Sequence, residues 1–259
     1  MVTSRMSPMP QISIITPTFQ RDDFLPRIRQ CVQSQTLQDI EWLIADDSPE
    51  KSAHFDPPGD PRIRYIHLPQ RMSVGEKRNL LVEQAQSEVI LHFDDDDYYA
   101  PGYAHTMLNA LTSDGYDMVN LRAWFLFDLR HRFFGFWDMM LKDGLHFALG
   151  RERAELMVFD SRTDDSFKDN HLGFGFGWIY RKAVWARAPF LHLDWNEDGA
   201  FALQAREHFR LGGHADTKGI CLHILHGGNT SRAFPQYQLP LFMLEQYFPQ
   251  MDKQRFLNA

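Results

Sequence analysis

Val89-Ile90-Leu91-His92-Phe93-Asp94-Asp95-Asp96-Asp97 is an apolar run that ends in four consecutive carboxylates. The run reads as a buried strand. Four adjacent carboxylates repel one another unless water or a cation neutralises them. Two readings stand for them: a solvated loop, or oxygen ligands for a hard divalent ion. An EF-hand is excluded, because its alternating acids, central glycine and distal glutamate are absent.

The flanking sequence repeats the theme of a strand that ends in polar residues. Ile12–Ile15 reads as a strand ended by Thr16-Pro17-Thr18, and Ile40–Ala45 as a second ended by Asp46-Asp47-Ser48-Pro49. Ile63–Leu68 reads as a third. Between them, Asp22–Gln35 has helical spacing of Phe24, Leu25, Ile28, Cys31 and Val32, with Asp22 or Asp23 as cap. Ser73–Ala85 reads as a helix in which Ser73 and Glu76 form a capping box. A helix from Pro101 to Leu111 and a strand at Met118–Leu121 follow. Five alternations predict an α/β fold with an open, mostly parallel sheet flanked by helices. Ligands bind beyond the carboxyl ends of such strands. Thr16–Arg21, Asp46–Ser48 and Asp94–Asp97 should therefore meet in one site.

The second half is less regular. Ala123–Met140 is aromatic without a clear period, and Arg151–Asn170 reads as loop. Phe174–Tyr180 reads as a strand, Asn196–Arg210 as a helix capped by Asn196, and Ile220–Leu225 as a strand. Pro240–Phe256 reads as one amphipathic helix. With neither repeat nor flexible linker, a single domain spanning 1–259 is expected.

The 259 residues are 44% hydrophobic and 24% charged, within the globular range. A net charge of −7 argues against a nucleic-acid partner. Two distant cysteines, Cys31 and Cys221, make a disulfide scaffold or a cysteine metal cluster improbable and fit a reducing compartment. Without an apolar run of ~20 residues or an N-terminal apolar leader, the expectation is a cytoplasmic protein with no transmembrane segment. Phenylalanine is abundant, at 21 residues, and much of the aromatic content lies between Trp124 and Trp178. This reads either as core or as a surface for an apolar or sugar-bearing partner. Phe133–Trp137 is ordinary core on the first reading and part of that surface on the second.

Further motifs carry candidate chemistry. Gly75-Glu76-Lys77-Arg78-Asn79 opens a helix, where free N–H groups and cations suit a phosphate; the plain alternative is an exposed helix face. A Walker A loop and a GxGxxG motif after the first strand are absent. Glu197 and Asp198 either complement a helix dipole or supply a general base. His226, beside Gly227 and Gly228, is placed as a ligand at a strand end, or packs there. Phe176 and Trp178 form a candidate platform for a sugar ring, with a buried, glycine-bulged strand as the alternative.

Taken in order, ISIITPTFQR, EWLIADDS, GEKRN and FDDDDYYAP resemble the family-two glycosyltransferases of the GT-A fold. The resemblance is specific from Ile12 to about Pro101 and continues loosely through GFGFGW, NED and HGGNTS. It implies a nucleotide-diphosphate-sugar-binding half at 10–120 and an acceptor-binding half with the catalytic base at 121–259. It implies inverting transfer from a nucleotide-diphosphate sugar, with UDP the commonest nucleotide in the family and GDP or dTDP open. The acceptor would be a hydroxyl of a glycan, a lipid-linked saccharide or another molecule. By the resemblance, Pro17, Thr18 and Phe19 hold the base, joined by Asp46 or Asp47. The neighbouring Arg21, Gly75 and Lys77 join the donor site, with Arg78 near the base and diphosphate. Asp94 and Asp95 lie by the donor, while Asp96 and His226 bind Mn²⁺ or Mg²⁺. The register within the four aspartates is open, so Asp95 and Asp97 remain candidate ligands. Asp198 is the expected base, beside Glu197. Gln20 departs from the family's usual Asn.

That chemistry is physically coherent. A cation and Lys77 or Arg78 would stabilise charge on the leaving diphosphate. A carboxylate would take the acceptor proton, worth about 10²–10⁴-fold. Nucleotidyl transfer is disfavoured because the first-strand loop is TPTFQR and lacks a Gly-rich basic stretch. The alternative outside catalysis is an inactive nucleotide-sugar or divalent-cation binding module.

Overall fold

The computed structural model describes residues 9–55, 59–160, 172, 174–229 and 232–257. Four strands form the parallel part of the sheet: β1 (Ile12–Thr18), β2 (Ile40–Asp46), β3 (Ile63–His67) and β4 (Val89–His92). They lie in the order β4-β1-β2-β3, all parallel, and β1 and β2 are buried almost throughout. Burial on both faces is what their continuous apolar runs require. The helices that return the chain are α1 (Leu25–Gln33), α2 (Val74–Gln84) and α3 (Tyr103–Ser113).

Local chemistry sets the helix starts. The expected capping box opens α2: Ser73 Oγ accepts from the Glu76 N–H at 3.3 Å, and the Glu76 carboxylate accepts from the Ser73 N–H at 2.8 Å. Neither Asp22 nor Asp23 caps α1. Phe24 occupies the cap without a side-chain bond, and a proline in the first turn presets the helix.

β5 (Tyr98–Tyr99) is followed by β6 (Met118–Asp128), which is far longer than the four residues expected. It forms an antiparallel hairpin with β7 (Phe133–Asp138), which resolves the aromatic stretch 123–140. A second hairpin joins β8 (Gly144–Leu149) to β9 (Ala154–Phe159), so the first part of the expected loop at 151–170 is strand. The rest of that loop lies outside the described residues.

The strand expected over Phe174–Tyr180 is a 3-10 turn at Gly175–Gly177 followed by β10 (Ile179–Arg181). β10 inserts antiparallel between β4 and β6. α4 (Lys182–Arg187), α5 (Glu197–Ala205), β11 (Leu211–Ala215), β12 (Cys221–Leu225) and β13 (Tyr237–Gln238) follow. α5 stops five residues short of the expected Arg210. The single C-terminal helix is instead α6 (Phe242–Tyr247) and α7 (Lys253–Leu257), separated at Pro249, which lacks an N–H to continue α6.

The main sheet runs β13-β7-β6-β10-β4-β1-β2-β3, with β11 and β12 also on β6. Apolar layers cover both faces. Trp42, Tyr103, Trp124 and Phe125 lie in one, and Leu81, Trp178, Tyr180 and Phe201 in the other. Most of the aromatic excess is therefore core. Cys31 and Cys221 are buried free thiols. Among the described residues, no helix is long and apolar enough to cross a membrane.

Candidate active site

A cleft of about 870 Å³ opens where β1 and β4 end. Thr18 Oγ1 donates to Asp95 Oδ2 at 2.6 Å, and Arg21 Nη1 donates to Asp96 Oδ2 at 2.7 Å. The Gln20 N–H donates to Ser48 Oγ at 2.7 Å. The three strand-end clusters expected from the sequence thus meet.

Each of the four aspartates has a different neighbourhood. Asp94 lies 3.5 Å from Arg78 Nη2, and burial pushes its pKa up to about 8, with the neighbouring carboxylates adding to the rise. Burial and Asp96 raise Asp95 to about 7. Burial also works against the charge on Asp96. His226, whose Nε2 is 3.0 Å away, and Arg21 outweigh it and hold the pKa below the usual carboxylate range. Asp97 points away from the cleft. It contacts His223 Nδ1 at 2.9 Å and accepts the Ile224 N–H at 2.8 Å, fully buried. Asp97 is therefore a packing residue and leaves the set of candidate metal ligands. His223 in turn stacks on Phe176, with ring centroids 4.5 Å apart.

On the opposite wall, α5 begins at Glu197, immediately after Asn196 in the left-handed region at φ 62°. Glu197 Oε1 pairs with Arg78 Nη1 at 2.9 Å, both buried. Arg78 thus bridges Asp94 on one wall to Glu197 on the other. Asp198 faces the cleft and accepts N–H bonds from Gly175 at 2.9 Å and Gly199 at 2.7 Å. Burial, aided by repulsion from Glu197, raises its pKa to about 6 against the pull of Arg78. A carboxylate poised there is ionised at neutral pH and still basic enough to take a proton.

Thr18, Phe19, Arg21, Lys77, Arg78 and Asp94 line the cleft, as do Pro17, Asp95, Asp96, Phe176, Glu197 and Asp198. His226 stands just behind Asp96. Besides His226, four expected site residues lie off the wall. Asp46 accepts from the Ser48 N–H at 2.9 Å and the Tyr65 hydroxyl at 2.6 Å, fixing the turn after β2. Asp47 is enclosed by Lys77 Nζ at 2.7 Å, Arg71 Nη1 at 2.6 Å and the Met72 N–H at 2.7 Å. Lys77 also donates to the Thr18 carbonyl at 2.8 Å, so both carboxylates shape the wall from behind. Gly75 is a close-approach glycine: a Cβ there would sit 1.8 Å from the Leu191 carbonyl oxygen. Trp178 is completely buried against Phe201 and cannot be the acceptor platform.

Sequence reasoning missed Trp195. It lies on the cleft wall three residues before Asp198, with 69% of its surface exposed. The alternation of apolar Leu191, Leu193 and Trp195 with polar His192 and Asp194, all exposed, was the available signal. Arg71 was also missed; its guanidinium lies 4.0 Å from the Phe19 ring centroid. Asn79 was quoted only as part of a motif, yet its side chain holds Phe190 by both backbone groups, at 2.9 Å each.

The family model for glycosyl transferase family 2 matches residues 13–185, about two thirds of the chain. The chain belongs to that family. Over 117 residues it is 30% identical to the GalNAc(5)-diNAcBac-PP-undecaprenol beta-1,3-glucosyltransferase of Campylobacter jejuni, a match covering 43% of this chain and 37% of that protein. The matched segment spans between a third and a half of its curated relatives. Staphylococcus aureus TarS 1–349 in complex with UDP-GlcNAc has a similar fold, with TM-score 0.61 and 18% identity over 85% of this chain and 60% of that one. So has the mannosyltransferase PcManGT of Pyrobaculum calidifontis with GDP-Man and Mn²⁺, with TM-score 0.58 and 12% identity over 83% and 57%.

Proposed function

We propose that this chain is a glycosyltransferase that moves a sugar from a nucleotide-diphosphate donor, a UDP-sugar by first choice, to a hydroxyl acceptor with inversion. The acceptor class is a glycan or a lipid-linked saccharide, in keeping with the undecaprenol-linked substrate in the Campylobacter relative's name. One observation carries the reading. Asp198, with its pKa raised to about 6, shares a cleft with the Asp94–Asp96 run and is tied to it through Arg78 and Glu197.

Phe19 and Arg71 form a cation–aromatic pair at the donor end, suited to a flat base. Arg78 sits where charge on a departing diphosphate would develop. The bond from the sugar's anomeric carbon to the diphosphate oxygen breaks as the bond to the acceptor oxygen forms. The acceptor proton passes to Asp198. Trp195, with Phe174 and Phe176 deeper in the cleft, replaces Trp178 as the aromatic wall for the acceptor.

Asp96 Oδ2 and His226 Nε2 converge within 3.0 Å, a donor set that suits Mn²⁺ or Mg²⁺. Among the described residues no third His, Cys, Asp or Glu completes a cluster, which leaves the remaining positions to diphosphate oxygens or water. When bound, the ion would supply positive charge to the leaving group.

Thermal melting against UDP, GDP, dTDP and CDP, each with and without Mn²⁺, tests the donor reading. A ligand at 100 times its Kd stabilises by about 2.7 kcal/mol, readily visible in a melt. One nucleotide should shift the melt, and the matching sugar nucleotide should be slowly hydrolysed. A shift without any turnover points to a binding module, and no shift with any nucleotide overturns the donor site.

A further inference from the structure

The Asp96–His226 pair already holds a cation of the chain's own. Gln20 stands at φ 52° at the end of β1, a turn that brings the Arg21 side chain back into the cleft. Arg21 Nη1 is 2.7 Å from Asp96 Oδ2, 3.5 Å from Asp95 Oδ1 and 3.2 Å from His226 Nε2. The guanidinium also lies 5.2 Å from the Phe24 ring centroid, and the same ring packs on His226 at 5.2 Å. It is thus held by carboxylates on one side and an aromatic ring on another.

His226 is engaged by the chain's own groups in the same arrangement. The Gly228 N–H donates to its Nδ1 at 3.0 Å. Its Nε2 faces Asp96 Oδ2 at 3.0 Å and Arg21 Nη1 at 3.2 Å. Asn229 Nδ2 adds a further donor to Asp96 Oδ2 at 3.4 Å. Arg21 and Asn229 both donate to that oxygen, so a divalent ion must displace Arg21.

We propose that Arg21 is an internal counter-cation that competes with the divalent ion for Asp96, so that metal binding is conditional on the nucleotide diphosphate. This rests on the donor reading above. The diphosphate offers Arg21 a new anionic partner and so releases Asp96. Arg21 is then a positioning residue for the metal within the donor site where the sequence places it. The competition follows from charge. A guanidinium hydrogen-bonded to a carboxylate removes the acceptor that a hard cation needs.

The test is Mn²⁺ binding to the whole chain, followed by the electron paramagnetic resonance signal of free Mn²⁺, with and without UDP. The wild type should bind Mn²⁺ weakly alone and at least about tenfold more tightly with UDP, the scale of one charge-assisted hydrogen bond. Arg21→Gln should bind Mn²⁺ alone at least about tenfold more tightly than wild type, and UDP should add less. Arg21→Lys, which keeps the charge, should restore weak binding. If Arg21→Gln does not fold, Arg21→Ala takes its place, with far-UV circular dichroism checking both. Equal Mn²⁺ affinity in wild type and the neutral variants, without UDP, overturns the competition. Failure of every nucleotide to shift the melt, with or without Mn²⁺, overturns the donor reading instead, and the metal-only comparison still decides Arg21.

Discussion

The two walls of the cleft are built by different means. The proposed donor wall takes its groups from the ends of β1 and β4 and from the first turns of α2, where parallel ladders and a capping box fix the backbone. The proposed acceptor wall takes Asp198 from a helix that starts after a left-handed Asn196, and Phe176 from a 3-10 turn. Side chains of the donor half hold these irregular pieces in place. His92 Nδ1 contacts the Gly175 carbonyl at 2.9 Å, the Tyr99 hydroxyl donates to the Phe176 carbonyl at 3.0 Å, and Asn79 holds Phe190. The difference teaches a direction of dependence. The regular wall stands on its own ladders, and the irregular wall borrows its geometry from it.

The sharpest way to separate the walls is Asp198→Asn. Transfer should fall about 10²–10⁴-fold while the nucleotide-induced melting shift is kept. The wild-type kcat should rise with pH through about 6 as Asp198 ionises. The stability sign runs the other way. The folded pKa of about 6 exceeds the ordinary 3.8, so the folded state binds the proton more tightly than the unfolded chain. Ionisation therefore costs stability progressively from about pH 4 to 6, and the cost is complete above that. The Asn variant should lack this pH dependence, although its single amide oxygen cannot accept both the Gly175 and Gly199 N–H bonds. Undiminished transfer, or a kcat flat across pH 6, removes Asp198 as the base.

Arg78→Met attacks the seam between the walls. It leaves Glu197 buried without its partner and Asp94 without its nearest cation. Breaking a buried pair costs on the order of 3 kcal/mol, measurable by urea unfolding, and both nucleotide binding and transfer should be lost. A variant that still binds nucleotide with normal affinity would show that the donor wall does not need the bridge.

Two tryptophans offer a paired comparison. Trp178→Ala empties a fully buried site and should cost about 3–5 kcal/mol. Trp195→Ala removes a largely exposed ring and should leave stability within about 0.5 kcal/mol. Its effect should be on the acceptor KM, raised about three- to tenfold as for loss of one aromatic contact, with donor affinity unchanged. An unaltered acceptor KM would remove Trp195 from the acceptor wall.

What was legible in the sequence follows the same division. Ser73 with Glu76, and the apolar run before Asp94, are local signals, because capping and strand burial depend on near neighbours. The register among the four aspartates was not local. Asp97 turns inward because His223 and the Ile224 N–H receive it, from a strand more than 120 residues away. Phe174–Tyr180 misled for a related reason. Gly175 lies against Arg78, where a Cβ would sit 2.7 Å from Nη1, and the segment there is a 3-10 turn held by His92 and Tyr99 from outside it. Trp178 and Trp195 have the same chemistry in sequence, and only the packing of α5 against β10 buries one and leaves the other at the rim.

The smallest expected effect tests the direction of dependence itself. Ser73→Ala removes the cap of α2 and should cost about 1 kcal/mol. Beside that cap, the Gly75 N–H donates to the Leu193 carbonyl at 3.0 Å and the Val74 N–H to Asp194 Oδ1 at 3.1 Å. These two bonds tie the segment carrying Trp195 to the donor wall. Loosening the first turn of α2 should therefore raise the acceptor KM a few-fold, although Ser73 itself does not line the cleft. Lys77 and Arg78 lie further along the helix and are anchored by Asp47 and Glu197, so nucleotide affinity should hold. Acceptor and nucleotide binding weakened by equal factors would mean that the walls share one framework, and the borrowed-geometry account would fail.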